Sequence, residues 1–187
     1  MKIAFFSFIA ISLFMIHEFE EIVFIQPWLE YSNNKTIYED EIFVKGKDGY
    51  PSTPAIALMI GEEYLLSIII LILAILIPRP ELAVGIFFAH TLHLFSHIID
   101  AIRFHCWPPG SVTAVITIPL IIFLFVLFFK QNKLNILSTI ITTVLVSALL
   151  IGNLKLLHYL APHIQNWINN YYRVTQGMPG TIFWLGS

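Results

Sequence analysis

Five long apolar segments are the feature that most restricts how this chain of 187 residues can fold. A helix needs about 20 apolar residues to cross the roughly 30 Å hydrocarbon core of a bilayer. Backbone polar groups in lipid must be paired within their own segment, which favours helices. The predicted spans cover approximately residues 3–25, 54–77, 81–100, 111–130 and 134–157. We therefore expect an all-α integral membrane bundle of about five transmembrane helices, forming a single domain over residues 1–187.

The composition supports a membrane protein and excludes several other classes. Hydrophobic residues make up 57% of the chain and charged residues 12%, whereas a soluble domain carries about 25% charged residues. The formal net charge is −2 and no basic block is present, which argues against a nucleic-acid partner. Cys106 is the single cysteine, so an internal disulfide and a thiolate metal site are both excluded.

The segments between and after the spans differ in character. A polar loop is predicted over residues 26–53, and a tail over residues 158–187 carries tryptophans and tyrosines typical of the membrane interface. Basic residues near the short turns lean toward an N-terminus inside the cell, but the count of basic residues does not decide the orientation. The oligomeric state is also left open.

Ionisable residues inside the spans are the strongest indication of function. Each one costs at least about 2.5–3.5 kcal/mol to insert, so such residues are usually functional. At about 100° per residue, the three histidines of the third span share an arc of about 80° with Asp100. The candidate metal ligands are His17, Glu20, Glu21, Glu62, Glu63, His90, His93 and His97.

These candidates also share a depth. If the spans alternate in direction, all of them lie roughly 5–15 Å below the same membrane face, at about 1.5 Å per residue. Imidazole and carboxylate groups together bind zinc, iron or manganese. Because the candidates outnumber the four ligands of a tetrahedral zinc, we predict a divalent metal site for Zn or Fe, and the count favours two ions over one.

Other interpretations of the same residues stand beside the metal site. The cluster can be a self-paired polar network that only locks a scaffold, or a proton or divalent-cation path in a transporter or sensor. His90 is as well explained by a structural role as by ligation. Arg103 either pairs with Asp100 or binds an anionic head group at the mouth of a substrate site.

The sequence His17-Glu18-Phe19-Glu20-Glu21 reads H-x-x-E-E, and Pro27-Trp28 follows it. Together with later landmarks, it resembles the HXXEE family of small bacterial integral membrane proteins over about residues 10–130. These landmarks are His97, Arg103, Pro109-Gly110, Thr113 and Pro119. The resemblance implies a membrane protein of uncharacterised function in which the His and Glu residues are suspected of metal binding or catalysis. It supplies no reaction.

We hypothesise a membrane-embedded, metal-dependent enzyme that acts on a lipid or another hydrophobic small molecule. Hydrolysis would use Glu20 or Glu63 as general base, and oxidation would use iron. The expected partners are the lipid bilayer and the hydrophobic substrate, and the expected location is the bacterial inner (cytoplasmic) membrane.

Overall fold

A computed structural model describes residues 2–31 and 50–175 of the chain. Over these ranges the chain forms α-helices joined by short turns, so the predicted all-α bundle is confirmed. The helices are α1 (Ile3–Tyr31), α2 (Thr53–Leu76), α3 (Pro80–Phe104), α4 (Ser111–Gln131) and α5 (Ile136–Thr175).

Length and composition make four of these helices, α2 to α5, capable of crossing a membrane. The first helix is outside that group and carries Glu18, Glu20, Glu21 and Glu30. It nevertheless packs against α2, α3 and α4 as part of the bundle. Large apolar side chains on the outside of the bundle are exposed, for example Ile116 (68%) and Phe123 (57%) on α4. Such a surface suits lipid rather than water.

Two helices extend at least six residues past the apolar segments that predicted them. The first helix continues through Pro27 to Tyr31. The last helix has 40 residues and reaches Thr175, so at about 1.5 Å per residue it is about 60 Å long, twice the thickness of the hydrocarbon core. The length of an apolar segment predicts the part of a helix that lies in lipid, but it does not predict the residue at which the helix ends. The remainder of the predicted polar loop (32–49) and of the predicted tail (176–187) lies outside the described residues.

Polar contacts fix these extensions near the start of α2. Ser52 is the N-cap of α2, and its hydroxyl also donates a hydrogen bond to the Gln165 amide oxygen on α5. Gln26 Nε2 on α1 donates to the carbonyl of Pro51 over 2.7 Å. The ends of α1 and α5 are thereby held to the segment that begins α2.

The third helix is central, because it contacts each of the other four helices. Gly85 allows α5 to approach it closely, since a Cβ placed at Gly85 would lie 3.1 Å from the Cβ of Val146. Small residues have this role in many membrane helix pairs. The position of α3 explains why its histidines can meet residues of other helices.

The two ends of the bundle differ in polarity. At one end, fully buried phenylalanines from three helices meet: the Phe6 ring lies 4.7 Å from that of Phe87 and 4.1 Å from that of Phe128, between centroids. We call this the apolar end. At the other, the polar end, the second half of α1 lies beside the second half of α3 and the start of α4. The parallel course of α1 and α3, with α4 running antiparallel to both, brings the ionisable residues together.

Candidate metal centre

Four of the predicted ligands converge at the polar end. His17 and Glu21 come from α1, and His93 and His97 come from α3. One ligand atom from each residue can be chosen so that all four atoms lie within 4.8 Å of one another. His17 is fully buried, and the other three are partly buried. The arrangement is therefore a closed group of three imidazoles and one carboxylate.

Four of the six separations within the group lie near those of ligands around a single metal ion. Glu21 Oε1 lies 2.7 Å from His97 Nε2, 3.6 Å from His17 Nε2 and 3.7 Å from His93 Nε2. The two Nε2 atoms of His93 and His97 are 3.2 Å apart. Ligands at about 2.0–2.1 Å from a tetrahedral metal ion lie roughly 3.3 Å from one another. The three imidazole rings also lie at similar mutual distances, with centroids 4.6–5.1 Å apart.

Helical spacing accounts for this convergence. Residues four apart lie on the same face of a helix, one turn above the other. His17 and Glu21 have this spacing on α1, and His93 and His97 have it on α3. Each helix therefore presents two ligands from one face, and contact between α1 and α3 brings the two pairs together.

Glu18 joins the group from the side, although it was not among the predicted ligands. Its Oε1 atom lies 3.5 Å from His93 Nε2, and the residue is 4% exposed. On a helix, Glu18 lies about 100° around the axis from His17, at the margin of the face that carries His17 and Glu21. Only the position of α3 shows that this margin faces the histidines.

Glu20 has a different role from Glu21. Its Oε2 atom accepts hydrogen bonds from the backbone N–H of Thr113 (2.7 Å) and from the Thr113 hydroxyl (2.6 Å). Its Oε1 atom accepts one from the Val112 N–H at 3.4 Å. The N-cap residue of α4 is Gly110, which has no side chain, so Glu20 supplies the cap from another helix. A carboxylate at a helix N-terminus is favourable because of the helix dipole.

This contact places Glu20 apart from the group of four, and its predicted role as a ligand or general base stays a prediction. The carboxylate is held by the start of α4 and is outside the group of four. The two adjacent glutamates of the motif point about 100° apart, so one faces α3 and the other faces α4. The sequence motif alone could not distinguish the two directions.

Thr113 contacts His17 directly, and Gly110 leaves room for the His17 and His97 rings. The Thr113 hydroxyl lies 2.9 Å from His17 Nδ1. Gly110 has a positive φ of 88°, and a Cβ built there would lie 2.8 Å from His97 ring atoms and 2.9 Å from His17 Cε1. Both residues were landmarks of the family resemblance, but their residue types and positions alone predicted no role for them.

Glu62 and Glu63, which were also predicted as ligands, lie outside the group of four. Both hydrogen-bond to Asn153 on α5: its Nδ2 atom lies 2.6 Å from Glu62 Oε2 and 2.5 Å from Glu63 Oε2. Glu62 is exposed, whereas Glu63 is 9% exposed. The rotation of α2 therefore directs this pair toward α5.

His90 and Arg103 are also outside the group. The His90 ring is edge-on to Phe14 at 5.0 Å and 5.8 Å from the His17 ring, between centroids. The Arg103 guanidinium is exposed and lies 5.3 Å from the centroid of the Phe104 ring. Its predicted role at a substrate mouth stays a prediction.

His90→Leu is expected to leave metal binding intact. Neither ring nitrogen of His90 finds a hydrogen-bond partner in the described part of the chain, and a buried group in that state costs about 1–3 kcal/mol. We expect the variant to be as stable as the wild type or more stable, and to keep its full metal content. His93→Leu is the matched control that should lose metal. A loss of metal in His90→Leu would instead make His90 a ligand.

A family model described as "Protein of unknown function with HXXEE motif" matches residues 8–125, more than half of the chain. The chain belongs to the HXXEE family. No curated protein and no solved structure matches it. The region matched by the HXXEE model contains all four residues of the group, together with Glu20, Gly110 and Thr113. In this HXXEE protein, the first and last residues of the motif, His17 and Glu21, belong to the histidine–glutamate group. The fourth residue, Glu20, caps α4.

Proposed function

We propose that this protein is a membrane-embedded enzyme that uses a divalent metal ion to act on a lipid or another hydrophobic small molecule. The observation that carries the proposal is the convergence of three imidazole nitrogens and one carboxylate oxygen within 4.8 Å at one end of an apolar bundle. Ionisable residues are costly to place inside a membrane, so those that occur there usually have a function.

The hydrogen bonding within the group supports a metal. His17 Nε2 and Glu21 Oε1 are buried, and neither forms a hydrogen bond with any described residue. His97 Nε2 lies 2.7 Å from that oxygen and 3.2 Å from His93 Nε2. Imidazole nitrogens and a carboxylate oxygen that face one another this closely are expected when they point at a common ion. A bound ion would satisfy the lone pairs of these atoms.

One ion is favoured over two. Of the eight predicted ligands, four converge within the described part of the chain. Glu62 and Glu63 are occupied by Asn153, and Glu20 is occupied by α4. Three imidazoles with one carboxylate suit Zn²⁺ or Fe²⁺. Zinc would activate a water molecule for hydrolysis, whereas iron would support oxidation.

Hydrolysis has a candidate general base in the chain itself. Glu18 is buried, and its Oε1 atom is within 3.5 Å of the His93 imidazole, beside the proposed metal. Glu63 is also buried, and its Oε2 atom is held by Asn153. A carboxylate near the site can accept a proton from water as the water attacks an ester or amide. Glu18 takes the role first predicted for Glu20, because Glu20 is fixed to α4.

The difference in polarity between the two ends of the bundle determines where a substrate would enter. The apolar end is closed by Phe6, Phe87 and Phe128, while the candidate site lies at the polar end. A transport path would need polar groups through both halves of the membrane. A one-sided site instead suits a lipid whose head group reaches the polar end while its chains stay in the bilayer. As part of this proposal, we place the protein in the bacterial cytoplasmic membrane.

Elemental analysis of the detergent-purified protein tests the proposal. After growth with added Zn, Fe and Mn, we expect about one equivalent of metal per chain, bound by four ligands. The identity of the metal separates hydrolysis from oxidation. Removing the metal with a chelator should abolish release of fatty acid from an ester lipid, and returning it should restore release. Less than about a tenth of an equivalent would contradict a four-ligand site.

A further inference from the structure

We infer that Thr113 is a positioning residue that, together with Glu20, holds His17 in the orientation that presents Nε2 to the metal. The inference rests on the proposed metal site and adds a part of it that lies on a different helix, α4. It gives the glutamate at the fourth position of H-x-x-E-E a reason to be present although it is not a ligand.

The direction of each hydrogen bond follows from the atoms available. A threonine hydroxyl has one hydrogen to donate and two lone pairs to accept. The Glu20 carboxylate is an acceptor 2.6 Å from that hydroxyl, and it also accepts the Thr113 backbone N–H at 2.7 Å. The hydroxyl hydrogen therefore points to Glu20, the nearer and charged acceptor, rather than to the carbonyl of Gly110 at 3.2 Å.

The state of His17 follows from this arrangement. With its hydrogen used on Glu20, the Thr113 oxygen accepts a hydrogen bond from His17 Nδ1–H at 2.9 Å. A neutral imidazole with hydrogen on Nδ1 has a free lone pair on Nε2. That nitrogen is the one that faces Glu21, at 3.6 Å. Metal-binding histidines are commonly fixed in this way, with the second ring nitrogen donating to an outer group.

The contact of Thr113 with Glu20 and His17 also couples metal binding to the packing of the helices. Glu20 and His17 are on α1, whereas Thr113 is in the first turn of α4. Occupying the metal site should therefore stabilise the contact between these helices as well as the one between α1 and α3. A purely structural threonine would contribute to the start of α4 without changing metal affinity.

Three variants measure the effect on the metal. We expect Thr113→Val to weaken Zn²⁺ affinity roughly 10- to 100-fold, as measured by competition with a chelator, and to shift the absorption bands of the Co²⁺-loaded protein. Thr113→Ser keeps the hydroxyl and should stay within about threefold of wild type. In a His17→Ala background, Thr113→Val should add about twofold or less, because Thr113 acts through His17.

Nitrogen NMR of the metal-free protein, labelled at histidine, gives a readout that does not depend on the metal. We expect His17 to carry its hydrogen on Nδ1 in wild type and in Thr113→Ser, and to lose that preference in Thr113→Val. If the valine variant does not fold, Thr113→Ala replaces it in every comparison.

The outcomes separate the two proposals. Wild-type protein that binds neither Zn²⁺ nor Co²⁺ overturns the proposed function, and with it the role of Thr113 toward a metal. Wild-type binding with an unchanged affinity in Thr113→Val overturns the positioning role alone. An equal loss from Thr113→Val in the presence and absence of His17 would show that Thr113 acts only on the fold.

Discussion

The variant His93→Ala/His97→Ala is expected to lose its bound metal. Two of the four ligands are removed, and both come from the same face of α3. Structural zinc sites with four ligands bind with about 10–16 kcal/mol, so losing half of the ligands should weaken affinity on the order of 1,000-fold or more. Elemental analysis should then find less than about a tenth of an equivalent.

The matched control removes two imidazoles from outside the group. His158 and His163 on α5 are not part of it, so His158→Ala/His163→Ala should keep the wild-type metal content. A second variant, His93→Gln/His97→Gln, keeps polar side chains beside Glu18 and Glu21 and thereby limits the cost of leaving buried carboxylates without partners. If both ligand variants lost stability but wild type held no metal, the scaffold interpretation would be favoured.

Gly110→Ala is expected to damage the site through the backbone. Gly110 has a φ of 88°, and a methyl group there would lie 2.8 Å from His97 Nδ1 and Cε1 and 2.9 Å from His17 Cε1. Strain of this kind and crowding of a buried site together cost roughly 2–5 kcal/mol. We expect a lower midpoint of thermal unfolding in detergent and a metal affinity reduced at least tenfold, because two ligand rings must move.

Two other glycines provide the control for that substitution. A Cβ at Gly61 on α2 or at Gly152 on α5 meets nothing within 4 Å among the described residues. Both lie inside helices, where alanine is favoured over glycine by about 1 kcal/mol. Gly61→Ala and Gly152→Ala should therefore match or exceed the stability of wild type and bind metal normally. If Gly110→Ala also kept wild-type stability and metal binding, the close approach of Gly110 to the histidines would not matter for the site.

The spacing of residues predicted much of the candidate site. The pairs His17–Glu21 and His93–His97 could be found because residues four apart share a helical face. Their common depth followed from counting residues along alternating spans. The choice among the neighbouring carboxylates did not follow, because Glu20 and Glu21, or Glu62 and Glu63, differ by one step of about 100°. Which member of each pair faces inward depends on the rotation of its helix.

The supporting residues were harder to predict than the ligands. Thr113, Gly110 and Asn153 are uncharged, and a threonine or glycine at a helix start usually needs no functional explanation. Their roles depend on contacts between residues more than 85 positions apart, such as Glu20 with Thr113 and Glu63 with Asn153. No local pattern in the sequence records such contacts.

The sequence by itself determined that the chain forms apolar helices and that their charged residues collect toward one end. The physical reason is local: helix formation and burial in lipid depend on the side chains of each segment. The tertiary structure decided which helices are neighbours and how each is rotated, and so assigned Glu21 to the histidines, Glu20 to α4, and Glu62 and Glu63 to Asn153. These assignments depend on how α1 fits against α3 and α4 and how α2 fits against α5, which no single segment specifies.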